Sequence, residues 1–160
     1  MGWFPRLHTG PPWRYHAKLA TLLVHGRYSI ILTKGAFLHA AYLEAYRQLP
    51  PAVHAMVDRM HNCEDLAMQF LVANTTMQPP VFVHAQRLWD YGQGQHAVAG
   101  ISSNTSAHHE QRAACLEELV KVFGMPLRSR SLRWWHRLLP VTYKNVPMRG
   151  TSAVQAFLSD

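Results

Sequence analysis

Two short segments hold the residues best suited to chemistry. His61-Asn62-Cys63-Glu64-Asp65 sets a cysteine beside two carboxylates, just before the apolar run 66–72. His109-Glu110-Gln111-Arg112-Ala113-Ala114-Cys115 sets an arginine one helical turn before the second of the chain's two cysteines. Paired carboxylates at a cleft rim could be catalytic or bind substrate. The first segment also has a plainer reading. Asn62 is a good N-cap, and Asp65 at the third helical position completes a capping box. Acidic residues in a first turn also complement the helix dipole.

Arg112 weighs on the choice. On a helix over 107–123, residues 112, 115, 116 and 119 share a face, so Arg112 points the same way as Leu116 and Leu119. A guanidinium there needs an anionic partner, because its burial is otherwise costly. Alternatively its stem lies along the core and its head reaches water. The cysteines set a geometric condition. If Cys63 and Cys115 were bonded, their Cα atoms would lie within ~7 Å, and Asp65 and Arg112 would share one neighbourhood. Two free buried thiols are the competing reading, since composition alone does not place the chain in an oxidising compartment.

The elements that position these segments follow from punctuation and periodicity. Residues 3–12 read as irregular, broken by Pro5, Gly10, Pro11 and Pro12. Trp13-Arg14-Tyr15 opens a short strand, and Tyr28-Ser29-Ile30-Ile31-Leu32-Thr33 is a better one. A helical pattern starts at Gly35, with Phe37, Ala40, Ala41 and Glu44 on one stripe, and ends at Leu49-Pro50-Pro51. Pro51 suits the first turn of a second helix, whose inward face is Val53, Met56, Val57 and Met60. A third helix runs from the Asn62 cap to about Ala73 and, being apolar nearly throughout, should be buried on most sides. Pro79-Pro80-Val81-Phe82-Val83 reads as a short strand. Gly92, Gly94, Gly100, Ser102 and Ser103 mark a loop before the helix over 107–123, which Gly124 and Pro126 stop. Residues from 128 show no clean period.

With 160 residues the chain can bury one real core, and 48% apolar residues exclude global disorder. The net charge of +7 favours anionic partners. No apolar run reaches the ~18 residues of a membrane span, and no targeting signal is evident. Two glycosylation sequons, Asn74-Thr75-Thr76 and Asn104-Thr105-Ser106, point weakly to the secretory pathway. Walker A, Rossmann, HExxH and Gly-x-Ser-x-Gly signatures are all missing. The run 128–137, with Arg128, Arg130, Arg133, Trp134, Trp135 and Arg137, mixes cations and aromatics as single-strand nucleic-acid binders do.

The run 49–58 followed by Asn62-Cys63-Glu64-Asp65-Leu66-Ala67-Met68 resembles the C-terminal half of the exostosin-like glycosyltransferases, glycosyltransferase family 64. So do residues 28–33 with Ala36-Phe37, residues 110–115, and Phe123-Gly124-Met125-Pro126-Leu127. Gly100-Ile101-Ser102-Ser103 is nearest to the plant-type members. The resemblance covers residues 3–127 and implies an α/β chain forming the C-terminal part of a GT-A fold, without the N-terminal nucleotide-binding segment. It implies a retaining transfer of a hexosyl or N-acetylhexosaminyl unit from a UDP- or GDP-sugar to a glycan or glycolipid acceptor. It further implies a Golgi or endoplasmic-reticulum lumen and a Cys63–Cys115 disulfide. By the same match Asp65 and Arg112 are catalytic, and Asn62, Glu64 and Arg112 bind substrate. Family members hold Mn²⁺ through an Asp-x-Asp motif that this sequence lacks. The expected organisation is a partial transferase domain over 1–127 and an unassigned basic tail over 128–160, in a truncated chain or a remnant. A non-catalytic carbohydrate- or partner-binding role is the main alternative. A basic nucleic-acid binder is the second, although the resemblance leads us to expect no nucleic acid.

Overall fold

The structure is a computed structural model, and it describes residues 1–85, 87–89, 105–132 and 142–144. Its elements are β1 (Pro5–Thr9), β2 (Arg14–His16), α1 (Leu19–His25), β3 (Arg27–Tyr28), β4 (Ile30–Ile31), a 3-10 turn (Thr33–Gly35), α2 (Ala41–Arg47), α3 (Pro51–Met60), α4 (Glu64–Thr76), β5 (Arg87–Trp89), α5 (Thr105–Phe123), β6 (Arg130–Ser131) and β7 (Thr142–Lys144). Helices and sheet are mixed, as the α/β class expects. β1 is the centre of an antiparallel sheet ordered β2-β1-β4, with His8 opposite Tyr15 and Pro5 opposite Ile31. β3 pairs with β6, and β5 runs parallel to β7.

Side chains on the sheet alternate between two apolar clusters, as the two-residue strand period requires. Leu7 and Ile31 join Leu22, Tyr28 and Leu132 on one side. Tyr15 and Ile30 face the larger cluster, built with Val53 and Met56 of α3, Leu66 and Phe70 of α4, and Leu116 and Leu119 of α5. α4 is the axis of this core. Leu66, Ala67, Met68, Phe70, Leu71 and Ala73 are all buried, as its apolar composition foretells. Pro51 does occupy the first turn of α3.

Several expectations need correction. Residues 5–9 are the central strand rather than irregular chain. Pro5 is tolerated because it is the first residue of β1. α1 has no capping signal, since Lys18 makes no side-chain cap; Gly26, with φ 63°, ends it in the left-handed region that glycine adopts freely. The strand over 28–33 is split into β3 and β4. α2 begins at Ala41, not Gly35, and leaves Phe37 and Leu38 exposed. Residues 79–83 form only a bridge, Phe82 with Gly2. Beyond residue 127, β6 is paired to β3 and Leu132 is buried in the second cluster. The glycine- and serine-marked loop at 92–103 and the Trp134-Trp135 segment lie outside the described residues.

Candidate functional site

The turn from α3 into α4 brings Asn62 and Asp65 against the first half of α5. Its backbone is unusual. His61 (φ 47°) and Cys63 (φ 75°) both adopt the left-handed region, flanking Asn62. Non-glycine residues there cost on the order of 1–3 kcal/mol each and persist where surrounding contacts over-determine them. Those contacts are visible here. Cys63 is disulfide-bonded to Cys115, with Cα atoms 6.4 Å apart and a sequence separation of 52. The Cys63 N–H donates to Asn62 Oδ1 at 2.8 Å.

This geometry overturns the plain capping box. Cys63, not Asn62, is the residue before α4, and it offers no side-chain cap. Asp65 does not reach back; its Oδ1 accepts the neighbouring Leu66 N–H at 2.8 Å. Its Oδ2 accepts from Arg112 Nη2 at 2.7 Å. The two side chains are 5% and 4% exposed, so the pair is fully desolvated. Such burial is tolerable only with matching charge and further hydrogen bonds. Arg112 Nη1 supplies one of them, donating to Asn62 Oδ1 at 3.2 Å. The guanidinium carbon of Arg112 lies over the Tyr15 ring, 4.5 Å from its centroid, a cation–π contact that helps hold the head in place. The anionic partner demanded by Arg112 is thus Asp65, and the head does not reach water.

The surrounding polar groups are also satisfied. Asn62 Nδ2 donates to Gln111 Oε1 at 3.0 Å and meets His108 Nδ1 at 3.1 Å. Gln111 Nε2 closes the ring on the Met60 carbonyl at 2.6 Å. His109 stands 6.0 Å from Tyr15, ring to ring. Glu64 is exposed and outside the Arg112 contact, although its charge acts on Arg112. The free-thiol alternative is excluded by the disulfide, which leaves no free cysteine.

The site is electrostatically positive around one buried carboxylate. Burial works against the Arg112 charge, but Asp65 and Tyr15 outweigh it and hold the guanidinium pKa above its ordinary value. Burial raises the Tyr15 pKa against the opposing pull of Arg112 and Arg6, so the phenol stays neutral. Burial, then the neighbouring cations, lower His108 and His109, so both imidazoles are neutral near pH 7. At the site, the buried Nε of Arg112 and Nε of Arg6 have no acceptor among the described residues. Both arginines act on Tyr15. Two unpaired guanidinium donors, one from β1 and one from α5, suit an anion.

Tyr15, Arg6 and His108 are absent from the sequence-derived candidates. Arg6 and His8 lie on the Tyr15 face of β1 by strand alternation, which is legible only once residues 5–9 are known to be a strand. His108 is one turn before Arg112 on the same helix face, a spacing that was readable.

The residues do not fit the expected Mn²⁺. The 160-residue sequence contains no Asp-x-Asp, and no three metal-binding side chains gather among the described residues. Among the described residues no helix is long and apolar enough to cross a membrane.

Comparison with known proteins matches this arrangement to one family. The sequence pattern of the glycosyl transferase family 64 domain matches residues 1–139. The chain is 37% identical over 110 residues to glycosylinositol phosphorylceramide mannosyl transferase 1 of Arabidopsis thaliana, covering 68% of this chain and 31% of that protein. It is 35% identical over 104 residues to exostosin-like 2 of Mus musculus, covering 64% and 31%. Exostosin-1c of Danio rerio is 32% identical over 151 residues, covering 91% of this chain and 19% of that protein. The chain therefore spans about a third or less of the length of these relatives. With the family pattern running across Asn62, Asp65, Arg112 and both bonded cysteines, the chain belongs to glycosyl transferase family 64.

Proposed function

We propose that this chain supplies the acceptor-side and diphosphate-facing half of a GT-A glycosyltransferase site. It would transfer a hexosyl or N-acetylhexosaminyl unit from a UDP- or GDP-sugar to a glycan or glycolipid, with retention of configuration. The observation that carries this is the buried Arg112–Asp65 pair, clamped by Tyr15, Asn62 and the disulfide, with Arg112 Nε still open. A purely structural pair would be expected to use that donor as well.

The chemistry follows from the charges. Breaking the bond between the anomeric carbon and the diphosphate leaves positive charge on the sugar and negative charge on the leaving group. Asp65 stabilises the first, and the Arg112 fork stabilises the second. In the resting pair each occupies the other. An arriving diphosphate draws Arg112 and frees Asp65 Oδ2 toward the sugar. The exposed Glu64 would take acceptor hydroxyls, and Asn62 would join it once Arg112 leaves its Oδ1. The Cys63–Cys115 bond supports a place in the endoplasmic-reticulum or Golgi lumen, where such bonds persist.

The test places residues 3–127 behind the nucleotide-binding half of a family 64 enzyme and determines the product's anomeric configuration by NMR. Retention is expected, and an inverted product overturns the reading. The missing metal motif favours one other role, carbohydrate or partner binding without catalysis. Calorimetry of the chain with a nucleotide sugar separates them, since donor affinity would count against binding alone.

A further inference from the structure

The Asn74-Thr75-Thr76 sequon has no part in the site above, and its placement argues for a role of its own. We propose that Asn74 is an N-glycosylation site, and that its glycan covers the apolar surface beside the end of α4. The proposal rests on the lumenal location inferred above, not on the transfer reaction.

Three structural observations support it. Asn74 is exposed on the last turn of α4, and its side chain makes no hydrogen bond among the described residues. Met77, which caps the end of α4 three residues after Asn74, is 50% exposed, and Val81 in the segment that follows is 44% exposed. A polar glycan rooted at Asn74 would shield both. Finally, Asn74 follows Asp65 by nine positions on α4. At roughly 1.5 Å and 100° per residue, that is ~14 Å along the axis and half a turn round. The glycan therefore projects from the face opposite the site and leaves it open.

The helix also dictates when the modification occurs. In the folded chain Thr76 Oγ1 donates to the Val72 carbonyl at 2.7 Å. Positions 74 and 76 are two apart, so they point to different sides of a helix. A transferase that reads the Asn amide and the Thr hydroxyl together can do so only before α4 closes. The Asn74 amide nitrogen attacks the anomeric carbon of a polyisoprenoid-diphosphate oligosaccharide. The N–C bond forms, the C–O bond to the diphosphate breaks, the amide loses one proton to the transferase's base, and the lipid diphosphate leaves with the bonding pair.

The experiment expresses the full chain in the secretory pathway of a eukaryotic cell. The glycan is then released enzymatically in heavy-oxygen water, and the peptide containing residue 74 is weighed. Wild type and T76S should yield labelled aspartate at position 74. T76A and N74Q should lose the label and the matching shift in gel mobility, whereas N104Q should leave the residue 74 peptide unchanged. An unlabelled wild-type peptide from chains whose Cys63–Cys115 bond is formed overturns the proposal. An unlabelled peptide with free thiols overturns it together with the lumenal placement. Neither result touches the transfer reaction, which is read separately by product formation.

Discussion

Removing either partner of the Asp65–Arg112 pair should destabilise the fold far more than removing both. The pair is 2.7 Å apart with side chains 5% and 4% exposed, so water cannot take over for a lost partner. In R112M the Asp65 carboxylate keeps only the Leu66 N–H and must either stay charged without a cation or take up a proton. In D65N the guanidinium keeps Asn62 and the Tyr15 face but no anion. Each single change should cost about 3–5 kcal/mol, whereas an apolar replacement of both, D65L/R112M, should cost much less. The assay is urea unfolding of the oxidised chain. With a slope of about 2 kcal/mol per molar urea, each single variant shifts the midpoint down by about 2 M. The double-mutant cycle should return a coupling of at least about 2 kcal/mol. Singles within about 0.5 kcal/mol of wild type, or a double that costs the plain sum, would refute the claim that the charges are buried and mutually dependent.

The remaining predictions are more compact. Reducing the disulfide, or the C63A/C115A variant, should remove up to about 4 kcal/mol by the chain-entropy estimate for a 52-residue separation, read as a fall in Tm. Y15F should cost little, because the ring over Arg112 is kept; Y15A should cost about 3–5 kcal/mol in urea unfolding, and equal losses for the two would refute the stacking role. His8, whose pKa is lowered to about 4 chiefly by burial and then by Arg27 and His16, stays neutral in the fold while the unfolded imidazole protonates near ~6.5. Its contribution is therefore intact above that pH and is lost as pH falls towards 4, by about 3 kcal/mol at most. H8N should flatten this part of the stability profile, and an unchanged slope would contradict it. By contrast E118Q, which breaks the exposed Arg59–Glu118 pair, should change stability by less than about 1 kcal/mol, as thermal unfolding can check.

Local signals made much of the helical half legible. Pro51 announces the start of α3, the i, i+3, i+4 stripe sets its buried face, and the apolar run of residues 66–72 marks α4 as the core axis. The site was legible where chemistry constrains geometry. An arginine on an apolar stripe demands an acid, and Asp65 supplies it. What stayed hidden was non-local or conformational. β1 is disguised because Pro5 and the Gly10-Pro11-Pro12 turn frame it like a loop, while its strand character comes from pairing with β2 and β4. Tyr15 reaches Arg112 only through that pairing. The Asn62 cap reading failed because Cys63 takes a left-handed conformation that sequence preference assigns to glycine. The disulfide and the polar ring around Asn62 hold it there.

The central claim is that Asp65 and Arg112 face the breaking glycosidic diphosphate bond. The most direct measurement is the initial rate of sugar transfer by the completed enzyme carrying D65N or R112K. Each variant is assayed where the oxidised chain remains folded, as its tertiary circular dichroism shows. The account predicts a rate loss of at least about 100-fold in each, the range for removing one preorganised electrostatic group. It also predicts that an exposed-surface change such as E118Q leaves the rate unchanged. Wild-type rates in folded D65N and R112K would contradict the account and leave the buried pair a structural feature alone.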